Sequence, residues 1–212
     1  MPGPAARADV AAALRELGAA TLGESGSRPM RNRVRAAWPG AVLAAPAFPV
    51  RCTPGDNLAI HVGVARAPAG SALVVDVGEE RELGYWGEVL TTAAEARGVT
   101  GLVIDGCVRD RAALAAHGFP VFSTGLALRG ATKKLPGAIG QSTVVGGVDV
   151  DPGDWIVGDG DGVVVVPGGA LDDVLAAARS RADKEAGYFT ALRGGATTLE
   201  LLGLDPGPID EG

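Results

Sequence analysis

The sequence predicts an α/β protein with a mixed sheet, and three observations carry that prediction. Short buried strands alternate with amphipathic helices between residues 58 and 123. β-type runs separated by Gly, Pro and Asp turns then follow from 143 to 167. Finally, Leu171, Val174, Leu175 and Ala178 fall at i, i+3, i+4 and i+7 of a closing helix, over about 169–193. The strand–helix–strand rhythm implies some parallel pairing, and the later β-rich region reads as an antiparallel layer.

In chain order, Val10, Leu14 and Leu17 mark a helix over 6–18 that Gly18 stops. Residues 19–40, rich in Gly, Ser, Arg and Pro, read as an extended surface segment. The apolar run 41–52 carries Pro46 and Pro49 inside it, so it is expected as an edge or bulged strand. Pro54-Gly55-Asp56-Asn57 is a turn, followed by a short helix over 58–66. ALVVDV at 72–77 is a buried strand, and 88–97 is a helix with Val89, Leu90, Ala93 and Ala94 on one face, ended by Gly98. LVID at 102–105, a helix over 111–117 and a strand over 120–123 continue the pattern. Asp159 and Asp161, in a Gly-Asp repeat between β-runs, read as turn residues.

A chain of 212 residues with 47% hydrophobic and 21% charged residues suits one well-buried core. A single domain over 1–212 is expected, with its core at about 9–193 and a tail at 194–212. The net charge of −6 opposes non-specific nucleic-acid binding, which needs Lys and Arg to displace counterions. Aromatic residues, at 4%, offer few stacking platforms for single strands. The chain has no 18-residue apolar run, and its first residues lack a secretory pattern, so a cytoplasmic protein that avoids membranes is expected. Cys52 and Cys107 lie in apolar stretches without metal-type spacing and read as buried small hydrophobes.

Chemistry concentrates between Gly84 and Asp110. Gly87 opens a helix whose first-turn N–H groups, near Glu88, Val89 and Leu90, lack intrahelical acceptors and form a site for a small carboxylate. Arg109-Asp110 follows a strand, at the carboxyl edge where open α/β sheets place ligands. Arg109 can clamp a carboxylate with two hydrogen bonds, and Asp110 can ligate a hard cation. The plainer alternative makes Asp110 the N-cap of helix 111–117 and Arg109 a surface ion pair. Asn57 and His61, four apart, form a weaker pair, and His61 in LAIHV is equally readable as a structural histidine. Gly158–Gly162 precedes a strand and so is no phosphate-binding loop.

Several stretches together resemble the RraA-like family, and within it the 4-hydroxy-4-methyl-2-oxoglutarate/4-carboxy-4-hydroxy-2-oxoadipate aldolases. They are ATLGES at 20–25, PGAVLAAPAFPV at 39–50, PGDNLAIHV at 54–62, GYWGEVLTTAAEARGVTGLVIDGCVRD at 84–110, GFPVF at 118–122, DPGDWIVGDGDGVVVVP at 151–167 and Lys184-Glu185. Glu88, twenty intervening residues and Arg109-Asp110 match the family's spacing. The resemblance implies a layered β/β/α sandwich of the swivelling-domain type, assembled as a homotrimer or hexamer. It implies divalent-metal-dependent (class II) cleavage of a 4-hydroxy-2-oxo acid to pyruvate, with oxaloacetate decarboxylation as a side activity. Asp110 would ligate Mg²⁺ or Mn²⁺ directly, and Glu88 would act through metal-bound water that deprotonates the C4 hydroxyl. Glu185 would reach the site of a neighbouring subunit. Arg109 and the amides of Val89 and Leu90, next to Gly87, would hold the pyruvate part of the small anionic substrate, with Asn57 and His61 nearby. No Schiff-base lysine is implied, so Lys133 and Lys134 read as loop charges. Gly23 and Glu88 depart from the aldolases' commoner bulky residue and Asp, which touches the non-pyruvate half of the substrate. Other family members inhibit the ribonuclease RNase E, which keeps a regulatory role, or a decarboxylase or aldolase for another oxo acid, as alternatives.

Overall fold

The computed structural model describes residues 4–209; the outermost residues of the expected domain, 1–3 and 210–212, lie outside the described residues. The amino-terminal helix α1 (Pro4–Gly23) is broken at Gly18, whose φ of 76° suits glycine. The expected stop at Gly18 is therefore real, but helix resumes over 19–23 where an extended segment was expected. The reason is a distant cap: Asp159 Oδ2 accepts the Ala19 N–H at 2.7 Å, supplying the acceptor that a restarted helix needs. Two short strands follow, β1 (Arg28–Pro29) and β2 (Arg35–Ala36).

The remaining elements, in order, are β3 (Leu43–Cys52), α2 (Leu58–Arg66), β4 (Ala72–Asp76), α3 (Glu88–Glu95), β5 (Gly101–Ile104), β6 (Cys107–Val108) and α4 (Arg111–His117). Then come β7 (Val121–Ser123), β8 (Gly125–Leu126), β9 (Gly137–Ile139), β10 (Thr143–Val145), β11 (Val148–Val150), β12 (Trp155–Gly158) and β13 (Val163–Val166). A 3₁₀ turn at Gly168–Ala170 leads into α5 (Leu171–Arg193), and α6 (Thr198–Leu202) is fixed by a capping box between Thr197 and Glu200.

The main sheet runs β1-β13-β12-β3-β4-β5-β7-β2, with β9 also on β3. Strands β3, β4, β5 and β7 are parallel, whereas β12 pairs antiparallel with both β13 and β3. The mixed α/β architecture is thus the one expected, but the antiparallel strands continue the same sheet instead of forming a separate one. The β10–β11 hairpin stands apart from it.

Strand β3 corrects the edge-strand expectation, because it lies at the centre of the sheet. Its prolines survive there because β3 changes partners along its length. Residues 43–46 pair with β12, residues 47–51 with β4, and residues 50–52 with β9 on the opposite side. The Ala47 N–H donates to Asp154 O at 2.8 Å, so the N–H groups of odd-numbered residues face β12. Pro46 therefore turns its nitrogen toward the β4 side before β4 begins. Pro49 turns its own toward the gap between β12 and β9. Pro46 removes no ladder bond, and Pro49 sits where the β9 ladder ends, its O accepting the Gly140 N–H at 2.8 Å with no return bond.

The alternation of side chains sorts the core into layers. Leu73 and Val75 of β4 join Ile60, Leu90 and Leu114 under helices α2, α3 and α4. Ala72 and Val74 point the other way and meet Val145, Val150, Ile156, Val163 and Val165, so the sheet curls onto its own inner face. Trp155, Val157, Val164 and Val166 face outward under α1 and α5. The VVVV run is uninterrupted because both of its faces are covered. The β/β/α layers of the expected sandwich are present, and α1 with α5 adds a further helical layer.

Candidate active site

The carboxyl ends of β4 and β5 open toward the first turns of α2 and α3, and a cleft of about 150 Å³ lies there. It is walled by Asn57 and His61 from α2 and its N-terminus, by Gly87, Val89 and Leu90 from α3 and its N-terminus, and by Arg109 and Asp110. Residues separated by up to 53 positions in the chain are thus gathered as the sequence suggested (110 − 57 = 53). Glu88 does not line the cleft. Its side chain is 57% exposed, with Oε1 3.7 Å from His117 Nε2. Glu185 lies on α5 and pairs with Arg181 at 3.0 Å, away from the cleft walls.

The two halves of the Gly84–Asp110 stretch are stitched together by backbone. Tyr85 N–H donates to Cys107 O at 3.1 Å, and Arg109 N–H donates to Trp86 O at 2.8 Å. Trp86 is itself fully buried, stacked on Phe119 at a centroid distance of 6.0 Å, with Nε1 donating to Thr91 Oγ1 at 2.7 Å. Behind this, Asp105 accepts two hydrogen bonds from Arg33, at 2.8 and 2.6 Å, and one each from Arg81 and Gly146 N–H. Burial works to raise the Asp105 pKa, but the Arg33 fork and Arg81 hold it below the usual carboxylate range.

Asp110 does not make the side-chain cap of the plainer reading. It has φ 58°, the one positive value at a non-glycine residue among the described residues. Such a conformation costs on the order of 1 kcal/mol and is commonest where function requires it. Although Asp110 precedes α4, its side chain makes no cap bond to that helix. Instead Oδ2 accepts the Glu88 N–H of α3 at 3.1 Å, so the carboxylate sits across the cleft, against the positive end of α3. Arg109 Nε stands 3.8 Å from the same oxygen, and both side chains are nearly half exposed. Gly87 makes room for them: a Cβ there would lie 2.4 Å from Asp110 Oδ2. At Gly84 a Cβ would meet Ala127 O at 2.6 Å and Arg109 Cδ at 3.2 Å.

Lys133, an exposed loop charge as expected, also lines the cleft. No local pattern signals this, because a long-range clasp brings it in. Asp56 Oδ2 accepts from Thr132 Oγ1 at 2.7 Å and from Lys134 N–H at 2.6 Å, while Oδ1 caps the Leu58 N–H at 2.8 Å. Burial pushes the Asp56 pKa up, but these donors together with Leu135 N–H overcome it and lower the value to about 2. His61 is held below its ordinary value by burial and then by Lys133, with Asp56 pulling the other way. At neutral pH its ring is uncharged. Cys52 and Cys107 are buried free thiols, as expected, and burial pushes Cys52 up to about 12.

Among the described residues no three His, Cys, Asp or Glu side chains form a metal cage. Mg²⁺ needs no such cage, since one or two carboxylates suffice when water and substrate oxygens complete its shell. Asp110 is the one carboxylate among the cleft residues, half-open to solvent and engaged by a single hydrogen bond, and it fits that mode.

Comparison with known proteins places the chain in a family. The family model described as RraA-like (Aldolase/RraA) matches residues 8–165. A protein of Halalkalibacterium halodurans, provisionally named 4-hydroxy-4-methyl-2-oxoglutarate aldolase, is 37% identical over 145 residues, 68% of this chain and 69% of that one. An uncharacterized Pseudomonas syringae protein superposes with a TM-score of 0.82 over 92% of both chains, at 28% identity. Streptomyces coelicolor RraAS2, described as an unusual member of the RNase ES inhibitor RraA family, gives 0.75 at 25% identity, over 90% of this chain and 97% of that one. Among the described residues, no helix is long and apolar enough to cross a membrane. With the family match spanning most of the chain and the curled mixed sheet shared with its solved relatives, this chain belongs to the RraA-like family.

Proposed function

We propose that the cleft cleaves a 4-hydroxy-2-oxo acid, such as 4-hydroxy-4-methyl-2-oxoglutarate, to pyruvate and a second oxo acid, and decarboxylates oxaloacetate as a related activity. The observation that carries this reading is the convergence of Arg109, Asp110 and the free amides of α3 on one cleft. Asp110 would hold Mg²⁺ or Mn²⁺ directly, with Glu88 acting through water at the mouth. When bound, the cation supplies Lewis acidity at the 2-oxo group.

The chain's own groups do the rest. The Val89 and Leu90 N–H groups, with the α3 dipole behind them, bind the pyruvate carboxylate. Arg109, whose side-chain stem runs beside Gly84 and Gly87, offers positive charge where negative charge develops as the C3–C4 bond breaks. Lys133 adds a second cation to the cleft lining, countering the net negative charge of the protein around an anionic substrate. Glu185 would contribute only from a neighbouring copy, in the trimer or hexamer that the resemblance implies.

The test is pyruvate release from 4-hydroxy-4-methyl-2-oxoglutarate and from oxaloacetate, with Mg²⁺ or with EDTA. Release that EDTA abolishes is expected. Silence on both substrates in folded, metal-loaded protein would overturn the aldolase reading. A second reading, binding and inhibition of an RNase E-type ribonuclease, draws on the likeness to RraAS2 and on the acidic net charge. A pull-down with the ribonuclease tests it.

A further inference from the structure

Two exposed surfaces of this chain, outside the cleft, are chemical complements. The first is the stretch 194–212, which lies beyond the residues matched by the family model. It contains four carboxylates, Glu200, Asp205, Asp210 and Glu211, and no Lys, Arg or His. Helix α6 within it is held by the Thr197–Glu200 capping box, yet no residue of that helix is buried. Leu199, Leu202, Leu204 and Ile209 are between 44% and 71% exposed. Large apolar side chains gathered on the surface of an ordered segment mark an interaction surface.

The second surface is a groove of about 270 Å³ at the β7–β2 end of the main sheet. Arg33, Arg35 and Arg111 line it together with Ala36, Ala37 and Leu126, and no carboxylate does. In a protein of net charge −6, three guanidiniums with no acid among them reverse the field locally. Arg33 commits Nε and Nη2 to Asp105, but Arg35 and Arg111 have no ion-pair partner among the described residues. Leu126 is 54% exposed, and Leu128, two residues on, is 91% exposed. The groove thus sets unpaired cations beside bare leucines, where the tail sets acids beside bare leucines.

Within one chain the two surfaces do not meet, since no residue of the tail lines the groove. The chain's own tail leaves from α5, which packs on α1 over β12 and β13, toward the other end of the strand order from β7 and β2. We propose that the tail of one copy docks in the arginine-lined groove of a second copy. Leu199, Leu202 and Leu204 cover Leu126 and Leu128, and removal of that apolar surface from water drives the contact. Asp205 and its acidic neighbours pair with Arg35 and Arg111, whose forked bonds to carboxylates fix the register. Tail and groove are different surfaces, so each copy gives a tail and receives one, a heterologous contact that closes into a ring or a reciprocal pair. The groove takes no part in the reaction proposed above, so this inference is tested separately from it.

Two full-length chains with different tags, one carrying Leu128→Cys and the other Leu202→Cys, are co-expressed and treated with a short bis-maleimide. Native Cys52 and Cys107 are buried and compete little. A cross-link joining the two tags is expected. Val144→Cys, an equally exposed site on the β10–β11 hairpin, should give none with Leu202→Cys. Arg35→Glu with Arg111→Glu in the groove chain places like charges opposite the tail and should lower the yield at least about tenfold. Asp205→Lys with Asp210→Lys in the tail chain should restore it, with circular dichroism showing each variant to be folded. A cross-link that forms only inside single chains carrying both cysteines puts the tail on its own body and overturns the proposal. So does an equal yield with Val144→Cys, or a yield indifferent to charge reversal. No cross-link at all also overturns it, and leaves the groove to a different partner.

Discussion

The carboxylates on the two sides of this molecule are put to opposite uses. On the α1/α5 flank, Asp154 accepts from Arg28 at 2.8 Å, Asp151 N–H at 3.1 Å and Gly168 N–H at 2.9 Å. Asp159 likewise divides its oxygens between Ala19 N–H and Asp161 N–H. These groups are saturated, and they staple turns. Around the cleft, Asp110 keeps one hydrogen bond and an exposed face, and Asn57 and His61 keep buried atoms with none. Folding tends to satisfy every buried polar atom; the exceptions among the described residues are Arg28 Nε on the flank and Asn57 Oδ1 and His61 Nε2 at the cleft. The flank's carboxylates hold turns together; Asp110 at the cleft stays open.

The contrast can be broken most severely at Asp110. Asp110→Ala should abolish EDTA-sensitive pyruvate release, while thermal unfolding shows the loss of only about 1 kcal/mol, the worth of one exposed hydrogen bond. Full activity in that variant would remove the metal from this position. Asp105→Ala should do the converse. It strands Arg33 and Arg81, and a broken buried pair costs about 3 kcal/mol when, as here, the arginines can still reach water. Urea titration would read this as a lower midpoint at unchanged slope. Asp159→Ala removes the cap of the restarted helix at Ala19 and should cost about 1 kcal/mol with no effect on catalysis. Asp56 adds a pH dependence of stability to the comparison. Its pKa is lowered from 3.8 to about 2 in the folded protein, so its contribution to stability is complete above pH 4 and is lost as pH falls toward 2. Replacing Asp56 by Asn should flatten that part of the acid-unfolding curve.

What could be read from the sequence follows from how local each signal is. Helices α2, α3, α4 and α5 are written in apolar spacing and in glycine stops. The 88-to-110 spacing corresponds to a real contact, because the chain after strand β5 returns Asp110 to the start of α3. The left-handed backbone at Asp110 is not legible, since Asp tolerates that conformation without demanding it. Lys133 was missed because only the Asp56 clasp, 76 residues away at Thr132, makes it a cleft residue. The prolines of β3 misled for a related reason. The rule that proline marks an edge assumes that a strand keeps the same neighbours throughout, and β3 does not.

That change of neighbours has a consequence for a chain emerging from the ribosome. Everything up to β7 can assemble while β12, which begins at Trp155, has yet to be synthesised. During that interval the first half of β3 offers the bare N–H groups of Leu43, Ala45 and Ala47 along an open side, a template for unwanted pairing with another nascent chain. Pro49 ends that row of donors, so the exposed template is only a few residues long. The same residue that fits a gap in the finished sheet thereby guards its most vulnerable strand before the sheet is closed.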